Sequence, residues 1–411
     1  MKINRTRFTL QVLILLLLFG ADSCKKQNQN SSYSYYVSKR FAVNYNQGYI
    51  NGLIDVASTV YPELSTIKQF VKSDVNVYEI VYKTTISGND VNASGLICLP
   101  VTPGSYPVIS FQNGTNTLYS DSPSQAPKDN LYQLVEFLAS MGYIVVVADY
   151  PGFGESSQIP HPYLVTEPTV RSLVDLLHAT KEMVGPEFPG FTLKNEFYLL
   201  GYSQGGWATL ALHKAMELDY SSDFNLVGSA CGAGPYNILK LLENMVGKPT
   251  YPMPVYLAYI VNAYSAYAQF TNPISDIFNE PYASRIGSLF TGLLTSDQIN
   301  SQLTTSIPTL LNPGFVSGFS TVPKYSSIVD ALNKNSISGW MTSKPLFLIH
   351  AGNDTSVDPS STENMYTAMI QAGTSQNLLQ KEIVPGFDHS EGAIPCLLKG
   401  FLFLNNLKNS Q

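Results

Sequence analysis

Gly201-Tyr202-Ser203-Gln204-Gly205-Gly206 lies between a short apolar run, Phe197-Tyr198-Leu199-Leu200, and a stretch with Trp207, Leu210, Ala211 and Leu218 at helical spacing. The order reads as strand, sharp turn and helix, with a serine at the turn. A serine there must take a strained backbone, and side chains two positions to either side would collide with it. Gly201 and Gly205 remove those side chains. Gly-x-Ser-x-Gly alone is also what a glycine-rich turn without chemistry would show. The strand before it and the helix after it carry the reading.

Outward from this turn, short apolar runs alternate with helical spacing. Val75 to Ile86 and Val91 to Leu99 predict two strands joined at Ser87-Gly88-Asn89-Asp90. Pro107 to Phe111, Tyr143 to Ala148, Leu226 to Ala230, Leu346 to His350 and Lys381 to Val384 predict further strands. Helical spacing recurs in Gly48 to Val60, in Leu131 to Leu138 before Gly142, and in Val170 to Val184, Ser360 to Gln371 and Ala393 to Leu407. Such alternation predicts an α/β fold, a mostly parallel sheet flanked by helices on both faces. One stretch breaks it. Residues 236–340 show helical spacing without a clear strand, and Tyr251-Pro252-Met253-Pro254 and Asn312-Pro313-Gly314 interrupt it. Several short helices are expected there, inserted as a cap over the carboxyl edge of the sheet, where ligands of open α/β sheets bind. A peripheral bundle is the plainer alternative. Tyr256, Tyr259, Tyr264 and Tyr267 suit a groove that is apolar along its length and polar at its mouth.

The chain has 411 residues, 44% hydrophobic and 13% charged, with 26 tyrosines and a net charge of −6. That allows a sizeable core and argues against nucleic acid as partner. Lys2, Arg5 and Arg7 followed by the apolar Leu10 to Phe19 form an export signal, too short to span a membrane comfortably. Ala21-Asp22-Ser23-Cys24 then resembles a bacterial lipoprotein signal, cleaved before a cysteine that is lipidated. An ordinary secretory signal cut near Ser23 is the alternative. Acyl chains on Cys24 would hold the protein at a membrane surface, here the outer membrane, without spanning it. Cys98, Cys231 and Cys396 remain, an odd number that gives no disulfide framework, and no Cys/His spacing suggests a metal site. The expected organisation is a signal over residues 1–23, a lipid-anchored cysteine and polar linker over 24–47, core over 48–235, cap over 236–340 and core again over 341–411.

With the serine turn in place, the chain resembles an α/β-hydrolase. The resemblance implies that the serine is a nucleophile served by an acid and a histidine following in the order Ser, Asp/Glu, His. His161 and His178 precede Ser203, His213 lies on the helix after it, and His350 comes before any acid that fits. His389, in the loop Gly386-Phe387-Asp388-His389-Ser390 between the last strand and helix, remains as the base. The acid belongs after Leu346 to His350, where Asp354 and Asp358 compete. Asp354 with Val357 fits the superfamily pattern, and Asp358 before Pro359 suits a helix cap. An oxyanion needs two backbone N–H donors. One is expected from Gln204. By resemblance of Gln112-Asn113-Gly114-Thr115 to the esterase loop at this place, the other is expected from Thr115, with Asn113 the alternative. Asp149-Tyr150-Pro151-Gly152-Phe153-Gly154-Glu155-Ser156 resembles a structural turn of the superfamily.

Within it, the chain is most similar to the secretory lipases of lipase A type and their bacterial relatives, from about Val75 to Leu407. The Asn-Gly-Thr loop, the Asp149 turn, Gly-Tyr-Ser-Gln-Gly-Gly, the Gly-x-x-Cys-Gly-x-Gly-Pro run, the long insertion, Asp354 and His389 carry the match. It implies hydrolysis of lipid or other small carboxylic esters without a cofactor. A carbohydrate deacylase, a peptidase of the prolyl oligopeptidase kind and a non-catalytic binding protein are the alternatives. The sequence leaves the oligomeric state open.

Overall fold

The computed structural model describes residues 33–410; the signal expected over residues 1–23 and the acylation expected at Cys24 lie outside the described residues. Nine strands form one sheet: β1 Tyr36–Tyr45, β2 Val75–Ile86, β3 Asn89–Pro100, β4 Ser105–Gln112, β5 Ile144–Ala148, β6 Thr192–Tyr202, β7 Leu226–Gly232, β8 Leu346–Ala351 and β9 Leu379–Val384. Their order is β1-β2-β3-β5-β4-β6-β7-β8-β9. The pairs from β1 to β5 are antiparallel, and those from β5 through β4 to β9 are parallel.

The inner parallel strands β5, β7 and β8 are buried throughout, as strands covered on both faces must be, and the edge strand β9 is only partly so. Side chains alternate across the sheet. Tyr198 and Leu200 of β6 join a core with Ile50 and Ile54 of α1 (Gln47–Ser58), Val135 of α2 (Asn130–Glu136), and Phe401 and Leu404 of the last helix, Ala393–Asn409. Phe197 and Leu199 are equally buried on the opposite face, which α3 (Thr166–Met183) and α4 (Gln204–Leu218) cover.

Two readings change. The linker expected over 24–47 does not extend to Gln47: Tyr36–Tyr45 is the edge strand β1, so the core begins there. An edge strand with Phe41 54% and Val37 37% exposed has no clean two-residue alternation to betray it. The β2–β3 turn is tighter than expected. Ser87 and Gly88 alone make it, both at positive φ (51° and 79°), and Asn89 and Asp90 already pair in β3.

Between β7 and β8 the chain forms seven short α-helices: α5 Ile238–Val246, α6 Pro254–Ala266, α7 Tyr282–Leu289, α8 Ser296–Asn300, α9 Ile307–Leu310, α10 Pro313–Gly318 and α11 Ser326–Asn335. The prolines that interrupt the sequence pattern start helices here, Pro254 opening α6 and Pro313 opening α10, because a first-turn N–H has no helical partner to lose. The insertion closes at a neck: Ile337 N donates to Tyr236 O (2.7 Å) and Ile238 N to Ser336 Oγ (2.8 Å). Glu217 of α4 fixes the outgoing chain by accepting from Trp340 Nε1 (2.9 Å), Ser343 N (2.8 Å) and Ser343 Oγ (2.9 Å).

The inserted helices touch three loops. Tyr251 Oη donates to Ser356 O (2.9 Å), Tyr264 and Tyr267 Oη to Leu164 O (3.1 Å) and Pro160 O (2.6 Å), and Gly292 O accepts from Tyr119 N (2.9 Å). Those loops follow β8, β5 and β4, so the contacts lie along the carboxyl ends of the parallel strands. Among the described residues no helix is long and apolar enough to cross a membrane.

Candidate active site

Ser203 joins β6 to α4 with φ 61° and ψ −123°, a conformation that costs a side-chain-bearing residue on the order of 1–3 kcal/mol. Its neighbours hold it there. Ser203 N donates to Gly232 O (2.8 Å), and Trp207 N to Ser203 O (3.1 Å). The glycines are needed for space. A Cβ on Gly201 would stand 2.4 Å from Gly205 O, and one on Gly205 only 1.9 Å from Gln112 O. Gly206 is as constrained, at 2.1 Å from Gly232 O. The turn's own sequence does not reveal this need, because the clash is with Gly232 at the end of β7.

His389 lies in the loop after β9, and its Nε2 is 2.8 Å from Ser203 Oγ. Its Nδ1 is 2.5 Å from Asp354 Oδ2 in the loop after β8. Nδ1 faces a carboxylate, so it carries the ring proton and leaves Nε2 to accept from the serine. Tyr202 Oη donates to His389 O (2.7 Å), which fixes the loop from below. Asp354 Oδ1 accepts from Ser356 N (2.9 Å) and Val357 N (2.8 Å). Burial alone would raise the pKa of Asp354, but His350, His389 and the Val357 N–H hold it down at about 2. The carboxylate is therefore charged throughout the neutral range. Asp358 stands apart, accepting from Ser360 N (3.0 Å) where the next helix begins, with Lys248 at 3.7 Å.

His350, set aside in the sequence because it precedes the acid, is fully buried against it. Its Nε2 is 3.2 Å from Asp354 Oδ2 and 2.8 Å from Val357 O. Both are acceptors, so Nε2 carries the proton, and Nδ1 accepts from Thr362 Oγ1 (2.8 Å). The four-residue step from His350 to Asp354 was the available signal.

Ser203 and His389 keep only 9% and 8% of their exposure, so the serine is covered. Among the described residues no acceptor meets the backbone N–H of Gln204, first residue of α4, or that of Thr115. The loop carrying Thr115 lies outside the sheet, between the end of β4 at Gln112 and a bridge from Leu118 to Leu293, and side chains hold it, tyrosine hydroxyls among them. Tyr150 Oη donates to Asn113 O (3.2 Å), Tyr163 Oη pairs with Thr115 Oγ1 (2.8 Å), and Asn116 Nδ2 donates to Tyr132 Oη (3.0 Å).

The four tyrosines expected to line a groove do not all do so. Tyr259 is stacked between other rings, Tyr264 and Tyr267 pin α6 to the loop after β5, and Tyr256 alone keeps a part-exposed ring without such a bond among the described residues. Asp149 is a buried structural acceptor for Ser94 Oγ (2.5 Å), Ser124 N (2.8 Å) and Ser124 Oγ (2.5 Å). A cavity of about 270 Å³ opens between α5 and Ser360–Gln371, lined by Lys240 and Asn364 and not by Ser203 or His389.

Residues 126–391 match the sequence profile of a family described as secretory lipase. No curated protein matches by sequence. Solved structures do match. A Legionella pneumophila protein is 24% identical with a TM-score of 0.81, the match covering 91% of this chain and 98% of that one. The rice cell wall degrading esterase LipA of Xanthomonas oryzae is 24% identical with a TM-score of 0.76, covering 91% and 97%. Candida antarctica lipase A in its closed state is 16% identical with a TM-score of 0.64, covering 91% and 82%.

Proposed function

Because this chain belongs to the secretory lipase family, and so to the ester-hydrolysing enzymes, we propose that it cleaves carboxylic esters through Ser203, His389 and Asp354 by way of an acyl-enzyme. The observation that carries the reading is the unbroken chain of hydrogen bonds from Ser203 Oγ through His389 to Asp354, at 2.8 and 2.5 Å. His389 Nε2 takes the serine proton as Oγ attacks the ester carbonyl. The imidazolium that forms is paired with Asp354, which stays charged. The N–H groups of Gln204 and Thr115, with Asn113 the alternative to Thr115, receive the oxyanion. His389 then gives its proton to the leaving alcohol. Water, activated by the same nitrogen, releases the acid.

The covered serine and the apolar inserted helices favour an ester with an acyl chain, with the insertion acting as a cap. Each methylene buried adds at most about 0.8 kcal/mol. A series of p-nitrophenyl esters should therefore give kcat/KM rising over a few carbons and then levelling, and Ser203→Ala should lose several orders of magnitude while folded. Near-normal turnover by folded Ser203→Ala defeats the assignment. The second reading is a carbohydrate deacylase, favoured by the likeness to an esterase that degrades rice cell wall. A steep fall from acetyl to butyryl esters would select it. A secretory family implies export; retention at the outer membrane through acylated Cys24 is part of this proposal.

A further inference from the structure

Both proposed oxyanion arms are held by one short stretch, His161-Pro162-Tyr163, in the loop after β5. Tyr163 is buried, and its hydroxyl is 2.8 Å from Thr115 Oγ1. His161 Nδ1 faces Pro151 O (2.8 Å), an acceptor only, so that nitrogen carries the proton. Its Nε2 then accepts from Gln204 Nε2 at 2.8 Å. The two arms do not depend on this equally. Gln204 is set by α4 and by the close-packed glycines around it. Thr115 sits outside the sheet, between β4 and the Leu118–Leu293 bridge, and the Tyr163 hydroxyl is the side-chain bond that holds Thr115 itself among the described residues.

The same stretch is gripped from the inserted helices. The Tyr163 ring stacks on Tyr259 of α6 at 4.5 Å and 9°, and Tyr259 stacks on Phe290 at 4.2 Å and 14°. Two rings at stacking distance cannot share one face, so Tyr259 is sandwiched between them. The His161 ring also lies against Tyr259, at 5.5 Å.

We propose that Tyr163 is a positioning residue of the oxyanion site: its hydroxyl fixes Thr115, and its ring, clamped by Tyr259 and Phe290, ties that arm to the inserted helices. The proposal rests on the reading of Thr115 as an oxyanion donor. A donor must stand in place before charge develops, and the charge exists only in the transition state. Displacing Thr115 therefore costs kcat and leaves KM nearly as it was.

The test is a double-mutant cycle with p-nitrophenyl butyrate on Tyr163→Phe, Thr115→Val and the pair. Each single variant should lose about tenfold in kcat with KM within twofold, and the pair should lose no more than either alone. An alkyl boronic acid, which mimics the tetrahedral oxyanion, should bind each variant more weakly by the same factor. Tyr259→Ala should show the same kcat loss, and Tyr259→Phe, which keeps the ring, should restore it. If one variant misfolds by circular dichroism, the other and the Tyr259 pair still decide. Wild-type kcat in Tyr163→Phe, a loss confined to KM, or additive losses in the pair would overturn the proposal. Failure of the underlying reading shows differently: Thr115→Pro, which removes the N–H itself, would then keep wild-type kcat and boronic acid affinity while folded, whereas a loss in Thr115→Pro with none in Tyr163→Phe overturns only the role of Tyr163.

Discussion

Replacing Asp354 with asparagine probes the site where its geometry is most demanding. Asp354 is 4% exposed, and its partners are all donors: Ser356 N and Val357 N on Oδ1, His389 Nδ1 and His350 Nε2 on Oδ2. An amide offers one oxygen. If that oxygen stays with the two backbone N–H groups, the NH2 faces His389 Nδ1. The ring then shifts its proton to Nε2, toward Ser203, and can no longer accept the serine proton. His350 cannot compensate, because Thr362 and Val357 fix its own tautomer. The wrong tautomer in a Ser-His-Asp template costs about 10⁴ in kcat, or about 5 kcal/mol of barrier. Stability should also change. Burial opposes the charge, but the surrounding N–H groups hold the pKa at about 2 against an ordinary 3.8, which stabilises the fold by about 2 kcal/mol at neutral pH. A depressed acid contributes above its unfolded pKa and loses the contribution as pH falls through the folded one. The stability gap between wild type and Asp354→Asn should thus be full at pH 7 and shrink from about pH 4 to pH 2. Initial rates on a p-nitrophenyl ester and urea midpoints across that range measure both. A folded Asp354→Asn within tenfold of wild-type kcat, or an Asp358→Asn variant that loses more, would refute the reasoning.

Glu136 has both carboxyl oxygens buried without a hydrogen-bond partner among the described residues, and burial, opposed by nearby Tyr45, pushes its pKa up to about 8. The folded state keeps a proton that the unfolded chain gives up near pH 4.5, so stability should fall as pH rises from about 4.5 to 8; Glu136→Gln should flatten that slope in urea midpoints and gain about 3–5 kcal/mol at pH 8. Gly205→Ala puts a Cβ 1.9 Å from Gln112 O, so it should destabilise by more than about 2 kcal/mol and cut activity as well; wild-type Tm and rate would contradict the packing described. Cys24→Ser should move the protein from the membrane to the aqueous fraction of a detergent phase separation, and unchanged partitioning would remove the lipid anchor.

The inner parallel strands were legible because strands covered on both faces must be apolar throughout, as in Ile144–Ala148. Strand β1 was not, because its partly exposed edge carries Tyr, Lys, Arg and Asn without a period. Ser203, Asp354 and His389 could be named from loop position and chain order, and the structure brings them together. Their supports could not. His350 acts through a bond across one loop, and Tyr163 reaches Thr115 from 48 residues away. The tyrosines of the insertion carried an ambiguous signal. A ring with a hydroxyl suits a groove, but it equally suits a pin across an interface. Three of the four are used to hold the insertion in place, and spacing alone cannot separate the two uses.

The neck formed by Tyr236, Ile238, Ser336 and Ile337 makes the segment beyond it a closed loop with its ends already joined. The entropy of closing such a loop grows only logarithmically, about 0.6 kcal/mol for each doubling of its length. Selection can therefore lengthen, shorten or replace the chain above the neck without disturbing the sheet below. An engineer can do the same above the neck, provided the contacts of Tyr259, Tyr264 and Tyr267 with the loop after β5 are rebuilt. The insertion is then a module whose length can vary between relatives with the same serine turn, so long as its replacement still offers a ring to Tyr163 where Tyr259 and Phe290 now stand.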